Sequence, residues 1–346
     1  MTSTAPTHHD APTLCVSGPA ELVQVVPHLV GIRPDRSLVL VVLRGERVQV
    51  VVRADLADVL GTDEAGAAEL VDRVRVDADR AVLVVYGERC DVADGVPAWT
   101  EVSRIVAVLE SRGIAVLDAL YVAAGRWWSY VCCQPGCCGP AGTALPPHDA
   151  PSPVRAAALD AGLRVLPDRG AVRAEHAPVG TIGRLRRELD RAEQRVVAAV
   201  ASDGGIGPWR RQVDRRFLVA RDALAASRLS RAQTAALVVS LVDPAVRDRC
   251  WERVEAGPDQ EWLALWRHLA RRALPPYRAE PLFLLGWTAW RRGDGITAGV
   301  AVEGVLAEDP CHRAGGMLLE LLRAGTDPRS LPCLLDGEAA GGRAGR

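Results

Sequence analysis

The chain has 346 residues, 49% of them hydrophobic and 25% charged, with a formal net charge of −1. That is enough for two domains with real cores, and it gives no overall charge to draw the chain to nucleic acid or an anionic membrane. Lysine and asparagine are absent, so all 42 basic residues are arginine; a lysine Schiff base, a phosphate-loop or kinase lysine and a Cys-His-Asn triad are thereby excluded. The missing residue types have AT-rich codons, which points to a GC-rich bacterial genome and makes the arginine content partly mutational. No apolar run reaches the ~20 residues of a membrane span, and the polar start MTSTAPTHHDAPT lacks a signal-peptide layout, so the expectation is a cytoplasmic protein without a membrane partner.

Residues 1–12 read as a disordered leader, 13–175 as an α/β domain, 180–335 as a helical domain and 337–346 as a disordered tail. In the α/β domain TLCVS (13–17) predicts a short strand. Ser17 is placed to cap a helix carrying Leu22, Val25, Val26 and Leu29 at helical spacing, with Gly31 at its end. SLVLVVL and RVQVVV flank RGE as a hairpin, and a helix near 63–75 leads to RAVLVVYG (80–87), apolar on both faces and therefore central. Trp99, Val102, Val106 and Leu109 mark a further helix closed by Gly113, after which IAVLDALYVA and RWWSYVCC pair across a turn at Gly125. Strands joined both by hairpins and by helices imply a mixed sheet with helical cover.

The helical domain opens with the amphipathic TIGRLRRELDRAEQRVVAAV, is broken at SDGGIGP, and resumes near Trp209. Helices follow at about 230–242, 243–256, 259–271, 279–292, 295–307 and 311–324. Within it, residues 284–310 resemble one tetratricopeptide helical hairpin through Gly286, Ala289, Gly293, Asp294, Ala298, Leu306 and Pro310. There is no second copy, so it reads as a single repeat-like hairpin rather than an array.

Four constellations bear on chemistry. Cys132, Cys133, Cys137 and Cys138 have near-zinc spacing, but adjacent cysteines on a strand point to opposite faces. Zinc, a labile disulfide and plain packing all stay open there, packing being favoured, with His148 the nearest histidine. The singly placed Cys15, Cys90, Cys250, Cys311 and Cys333 read as small buried residues. Trp127 and Trp128 must face opposite sides of their strand, and Arg126 could hold a carboxylate such as Asp118 on the partner strand. His28, Asp35 and Ser37 are triad residue types, but no G-x-S-x-G elbow exists; Ser37 reads as a turn cap and His28 as a helix-end residue. Finally, residues 184–231 carry twelve arginines against six acids; many lie three or four positions from an acid, which reads as solvated helix faces.

The segments ELVQVVPHLVGIRPDRSLVLVVL, ALYVAAGRWWSYVCCQPGCCGPAGTALP and WTAWRRGDGITAGVAVEGVLAEDP resemble the actinobacterial domain-of-unknown-function family numbered 4192 over nearly the whole ordered chain. The resemblance implies a shared cysteine set of Cys132, Cys137 and Cys138, leaves Cys133 as an addition, and implies no activity. The expectation is a non-catalytic interaction or regulatory protein with another protein as its partner, no catalytic residue, and no cofactor other than zinc at those three cysteines. The alternative is a small-molecule binder or enzyme with a pocket at the strand ends near Asp118, Arg126, Trp128 and His28. Nucleic-acid binding through residues 184–231 stands third.

Overall fold

The computed structural model describes residues 15–72, 77–88, 95–132, 139–147, 150–202, 205–225 and 229–331. The chain divides into two compact units between Pro167 and Asp168.

The first unit runs α1 (Pro19–Val30), β1 (Ser37–Arg44), β2 (Arg47–Asp55), α2 (Leu56–Val59), α3 (Glu64–Asp72), β3 (Arg80–Tyr86), α4 (Trp99–Ser111), β4 (Ala115–Ala123), β5 (Arg126–Ser129), β6 (Thr143–Ala144) and α5 (Pro153–Asp160). Its strands form one mixed sheet in the order β2-β1-β3-β4-β5-β6. Only β3 and β4 are parallel, with α4 as their crossover; all other neighbours are antiparallel. β3 is central as its apolar run requires, buried from Ala81 to Tyr86. The β4–β5 turn places Ala124 and Gly125 at φ 48° and 72°, the left-handed pair that matches the twist of a two-residue hairpin.

Strand alternation gives the sheet two cores. One face packs Leu38, Leu40, Leu83, Tyr121 and Trp128 beneath Val71 of α3 and Ile105 and Leu109 of α4. The other packs Val39, Val41, Val84, Leu120 and Trp127 against Val23 and Val26 of α1. The two tryptophans thus enter opposite cores, as period-two alternation dictates. The start of the unit differs from expectation. Cys15, Val16 and Ser17 lie in no strand, Thr13 and Leu14 falling outside the described residues. Gly18, not Ser17, is the N-cap of α1, and the Ser17 N–H donates to Glu21 Oε2 at 2.7 Å. Gly31 ends the helix with φ 87°. Neither β6 nor α5 has a periodic pattern long enough to announce it.

The second unit holds α6 (Arg169–His176), α7 (Ile182–Ser202), α8 (Ile206–Ala225), α9 (Arg231–Ser240), α10 (Pro244–Ala256), α11 (Gln260–Ala270), α12 (Ala279–Arg291), α13 (Gly295–Glu308), α14 (Arg313–Arg323) and a 3-10 turn at Pro328–Ser330. Local chemistry sets these starts. Asp243, Asp259 and Asp294 accept N–H bonds at the N-termini of α10, α11 and α13, and Ser230 with Gln233 forms a capping box on α9. The core is built on Phe217, Trp262, Trp266, Phe283 and Leu241, with the Trp262 and Trp266 rings stacked at 5.2 Å. α12 is enclosed, being buried from Pro281 through Trp290. It packs antiparallel to α13: a Cβ on Gly286 would meet Ala301 Cβ at 3.2 Å, and one on Gly304 would meet Leu282 at 3.2 Å. Of the single cysteines, Cys250 is buried as expected, but Cys15 and Cys311 are exposed; Cys90 and Cys333 lie outside the described residues. Among the described residues no helix is long and apolar enough to cross a membrane.

Candidate functional site

The strand-end candidates come apart once the register is known. Arg126 pairs with Ala123 and Ser129 with Leu120, so Asp118 lies near the opposite end of the β4–β5 hairpin from Arg126. They are also on opposite faces: Asp118 shares the face of Leu120 and Trp127, whereas Arg126 shares that of Trp128. The expected Asp118–Arg126 pair is therefore not formed. Asp118 Oδ1 instead accepts from Ser129 Oγ at 3.1 Å and from the Ala119 N–H at 2.9 Å. Burial raises its pKa, and those two hydrogen bonds oppose the rise.

The other candidates are also engaged by their own scaffold. Arg126 Nη1 donates to the carbonyls of Ala141 and Gly142, both at 2.9 Å, and Trp128 Nε1 donates to Pro140 O at 3.2 Å. Gly142 is required there: at φ 64° a Cβ would stand 2.4 Å from the Trp128 ring. His28 Nδ1 lies 2.8 Å from Leu163 O, and the Ser37 hydroxyl donates to the Asp35 carbonyl at 2.9 Å, so His28, Asp35 and Ser37 make no relay. The Cys132 N–H donates to Ser129 Oγ at 3.0 Å. Cys133, Cys137, Cys138 and His148 lie outside the described residues; among the described residues no three His, Cys, Asp or Glu side chains converge on a point where a metal would sit.

The helical unit holds a concavity. α7, α8 and α9 leave between them a groove of about 720 Å³, within the size range of ligand-binding clefts. α7 contributes Ala192, Arg195, Val196 and Ala199; α8 contributes Trp209, Gln212, Arg215, Arg216, Val219, Ala220 and Ala223; α9 contributes Ala232, Gln233, Ala236, Leu237 and Ser240, with Leu229 just before it. These positions recur every three or four residues, so each helix presents one stripe. The floor is apolar and rich in alanine. Among the described residues no Asp or Glu lines it.

Its cations are uncommitted. Arg195, Arg215 and Arg216 are exposed and have no hydrogen-bond or ion-pair partner among the described residues. Three acids on the same helices are held elsewhere. Asp214 takes two bonds from Arg253 at 2.6 and 3.0 Å, Asp222 pairs with Arg221, and Glu193 is hydrogen-bonded by Tyr277. Pairs along α7 with Glu188 or Asp190, which the arginine spacing suggested, are not formed among the described residues. The bridges of α8 that do span helices are Arg210–Asp243, Arg221–Asp259 and Arg253–Asp214. None of the three has an Asp or Glu three or four positions away, but neither has the paired Arg221, so helical spacing alone does not mark the rim arginines.

The sequence pattern of the family described as Domain of unknown function (DUF4192) matches residues 19–329, and the chain belongs to that family. No curated protein and no solved structure matches the chain.

Proposed function

We propose that this member of the 4192 family is a non-catalytic interaction or regulatory protein of the cytoplasm, and that it engages a protein partner through the α7–α9 groove. The observation that carries the reading is the coincidence of a 720 Å³ apolar groove with three arginines at its rim that have no partner among the described residues. Such a surface is costly to leave uncovered and gains from an occupant that supplies both apolar contact and negative charge. The reading assigns no catalytic residue and no cofactor. We read α12–α13 as a single tetratricopeptide-like hairpin, a reading supported by its close antiparallel packing at Gly286 and Gly304. Because α12 is enclosed by the core, its role in this account is that of a pillar.

The test is cross-linking capture with the full chain and two variants. Ala232 is exposed and lines the groove, so Ala232→Trp fills it without entering the core. Partners captured by the wild type and by Arg126→Ala but lost from Ala232→Trp are expected. The same set captured by all three proteins would remove the groove from the account. Nucleic-acid binding is the second reading, favoured by the rim arginines alone; it predicts a steep salt dependence that Ala232→Trp leaves untouched.

A further inference from the structure

We infer that the groove receives an acidic amphipathic α-helix of the partner, laid along α7–α9 as a fourth helix. The inference rests on the groove being the docking site, and it adds the shape and charge of the occupant.

Three observations lead to it. First, the groove runs along several helical turns. Its α8 wall runs from Trp209 to Ala223, about 21 Å at the rise of an α-helix, or roughly four turns. The α7 wall repeats at 192, 195, 196 and 199 and the α9 wall at 232, 233, 236, 237 and 240, so the stripes are ridges of the kind that receive another helix. Second, much of the floor is alanine: Ala192, Ala199, Ala220, Ala223, Ala232 and Ala236. Small side chains let a helix backbone come close and leave room for larger apolar anchors from the visitor at i, i+3 or i+4 and i+7. Third, the charge is one-sided. Arg195 stands on one wall and Arg215 and Arg216 on the other, with no acid lining the groove among the described residues. A helix whose apolar stripe enters the floor therefore meets arginine on both flanks, and carboxylates beside that stripe are the groups that satisfy them. Val219, 65% exposed on the α8 wall, keeps the groove open to solvent. That suits a segment laid in from outside better than a small molecule enclosed on most sides.

The test is fluorescence anisotropy on the full chain with synthetic peptides of about 18 residues, five helical turns. One is an amphipathic helix with a leucine stripe flanked by glutamate. A second keeps the stripe and replaces glutamate with lysine, and a third scrambles the first. Expected is saturable binding of the acidic helix, weakened at least about tenfold in the basic and scrambled peptides and about tenfold or more by the combined Arg195→Gln, Arg215→Gln and Arg216→Gln changes. Ala232→Trp should abolish it, while circular dichroism of the arginine variant matches the wild type. Equal binding of the scrambled acidic peptide would reduce the groove to a charged surface and overturn the inference. So would displacement of the acidic helix at lower concentration by single-stranded DNA, which would assign the arginines to phosphates, or by oleate, which would assign the floor to an acyl chain. Absence of acidic-helix binding alongside partner capture that Ala232→Trp still blocks would overturn the helix and leave the docking site standing. Capture indifferent to Ala232→Trp would remove both.

Discussion

The β4–β5 hairpin and the α7–α9 groove both set arginine and tryptophan at one place, yet they dispose of them in opposite ways. In the hairpin, Arg126 is tied to two carbonyls of its own chain, Trp128 to Pro140 and Asp118 to Ser129. In the groove, Trp209 is buried in the floor while Arg195, Arg215 and Arg216 keep their donors free among the described residues. Residue type is the same; availability is not. Side chains whose hydrogen bonds are filled from within the fold hold the fold, and those left open at a concave apolar surface are the ones a partner can use.

Four outcomes would break or sharpen that contrast. The largest belongs to the hairpin, where Gly142→Ala forces a side chain onto the Trp128 ring at a left-handed backbone position. A loss of about 3 kcal/mol or more in chemical denaturation is expected, with peptide binding by the folded fraction unchanged. Next comes acid. His176 and His268 in the helical unit are held down at about 4, first by burial and then by neighbouring arginines. The unfolded chain takes up these protons as pH falls through about 6.5, and the folded chain does so only near 4, so helical-unit stability falls across that window. Asp118 runs the other way: its raised pKa favours the protonated form in the folded sheet, so its contribution improves as pH falls. Residue-resolved hydrogen exchange should show the helical unit weakening from pH 7 to 4.5, by on the order of 1–3 kcal/mol for His176, with His176→Gln flattening the dependence.

Third, Arg253→Gln removes a paired arginine, breaking its two bonds to Asp214. It should cost about 1 kcal/mol in thermal or chemical unfolding, the pair being partly exposed. Fourth and smallest, the combined Gln substitutions at Arg195, Arg215 and Arg216 should change stability by less than about 0.5 kcal/mol, since no partner is lost. A loss as large as that of Arg253→Gln would show that the rim arginines serve the fold, and the contrast would collapse.

Much of the fold was legible because its signals are local. The runs at Ser37–Arg44 and Arg80–Tyr86, the glycines at 31, 113 and 125, and the Asp and Ser caps of α9, α10, α11 and α13 each act through nearest neighbours or simple periodicity. The two-residue β6 was not legible, since it exists only through its pairing with Arg126 and Trp127. The site was harder for the same reason. Asp118 and Arg126 sit on adjacent strands in sequence, and only the register shows that they end on opposite faces. The groove is made by three helices whose stripes mean nothing singly. Charge counting over residues 184–231 averaged the committed Arg210 and Arg221 with the uncommitted Arg195, Arg215 and Arg216. Checking each arginine for an acid three or four positions away does not separate the two groups, since Arg221 has none at that spacing and pairs instead with Asp259 across helices.

The most direct measurement is hydrogen exchange on the full chain with and without a captured partner. The account predicts new protection concentrated in residues 192–199, 209–223 and 229–240, with the β4–β5 hairpin and α12–α13 unchanged. Protection centred on Asp118, Arg126 and Trp128, or on α12–α13, with the groove unaltered, would contradict it.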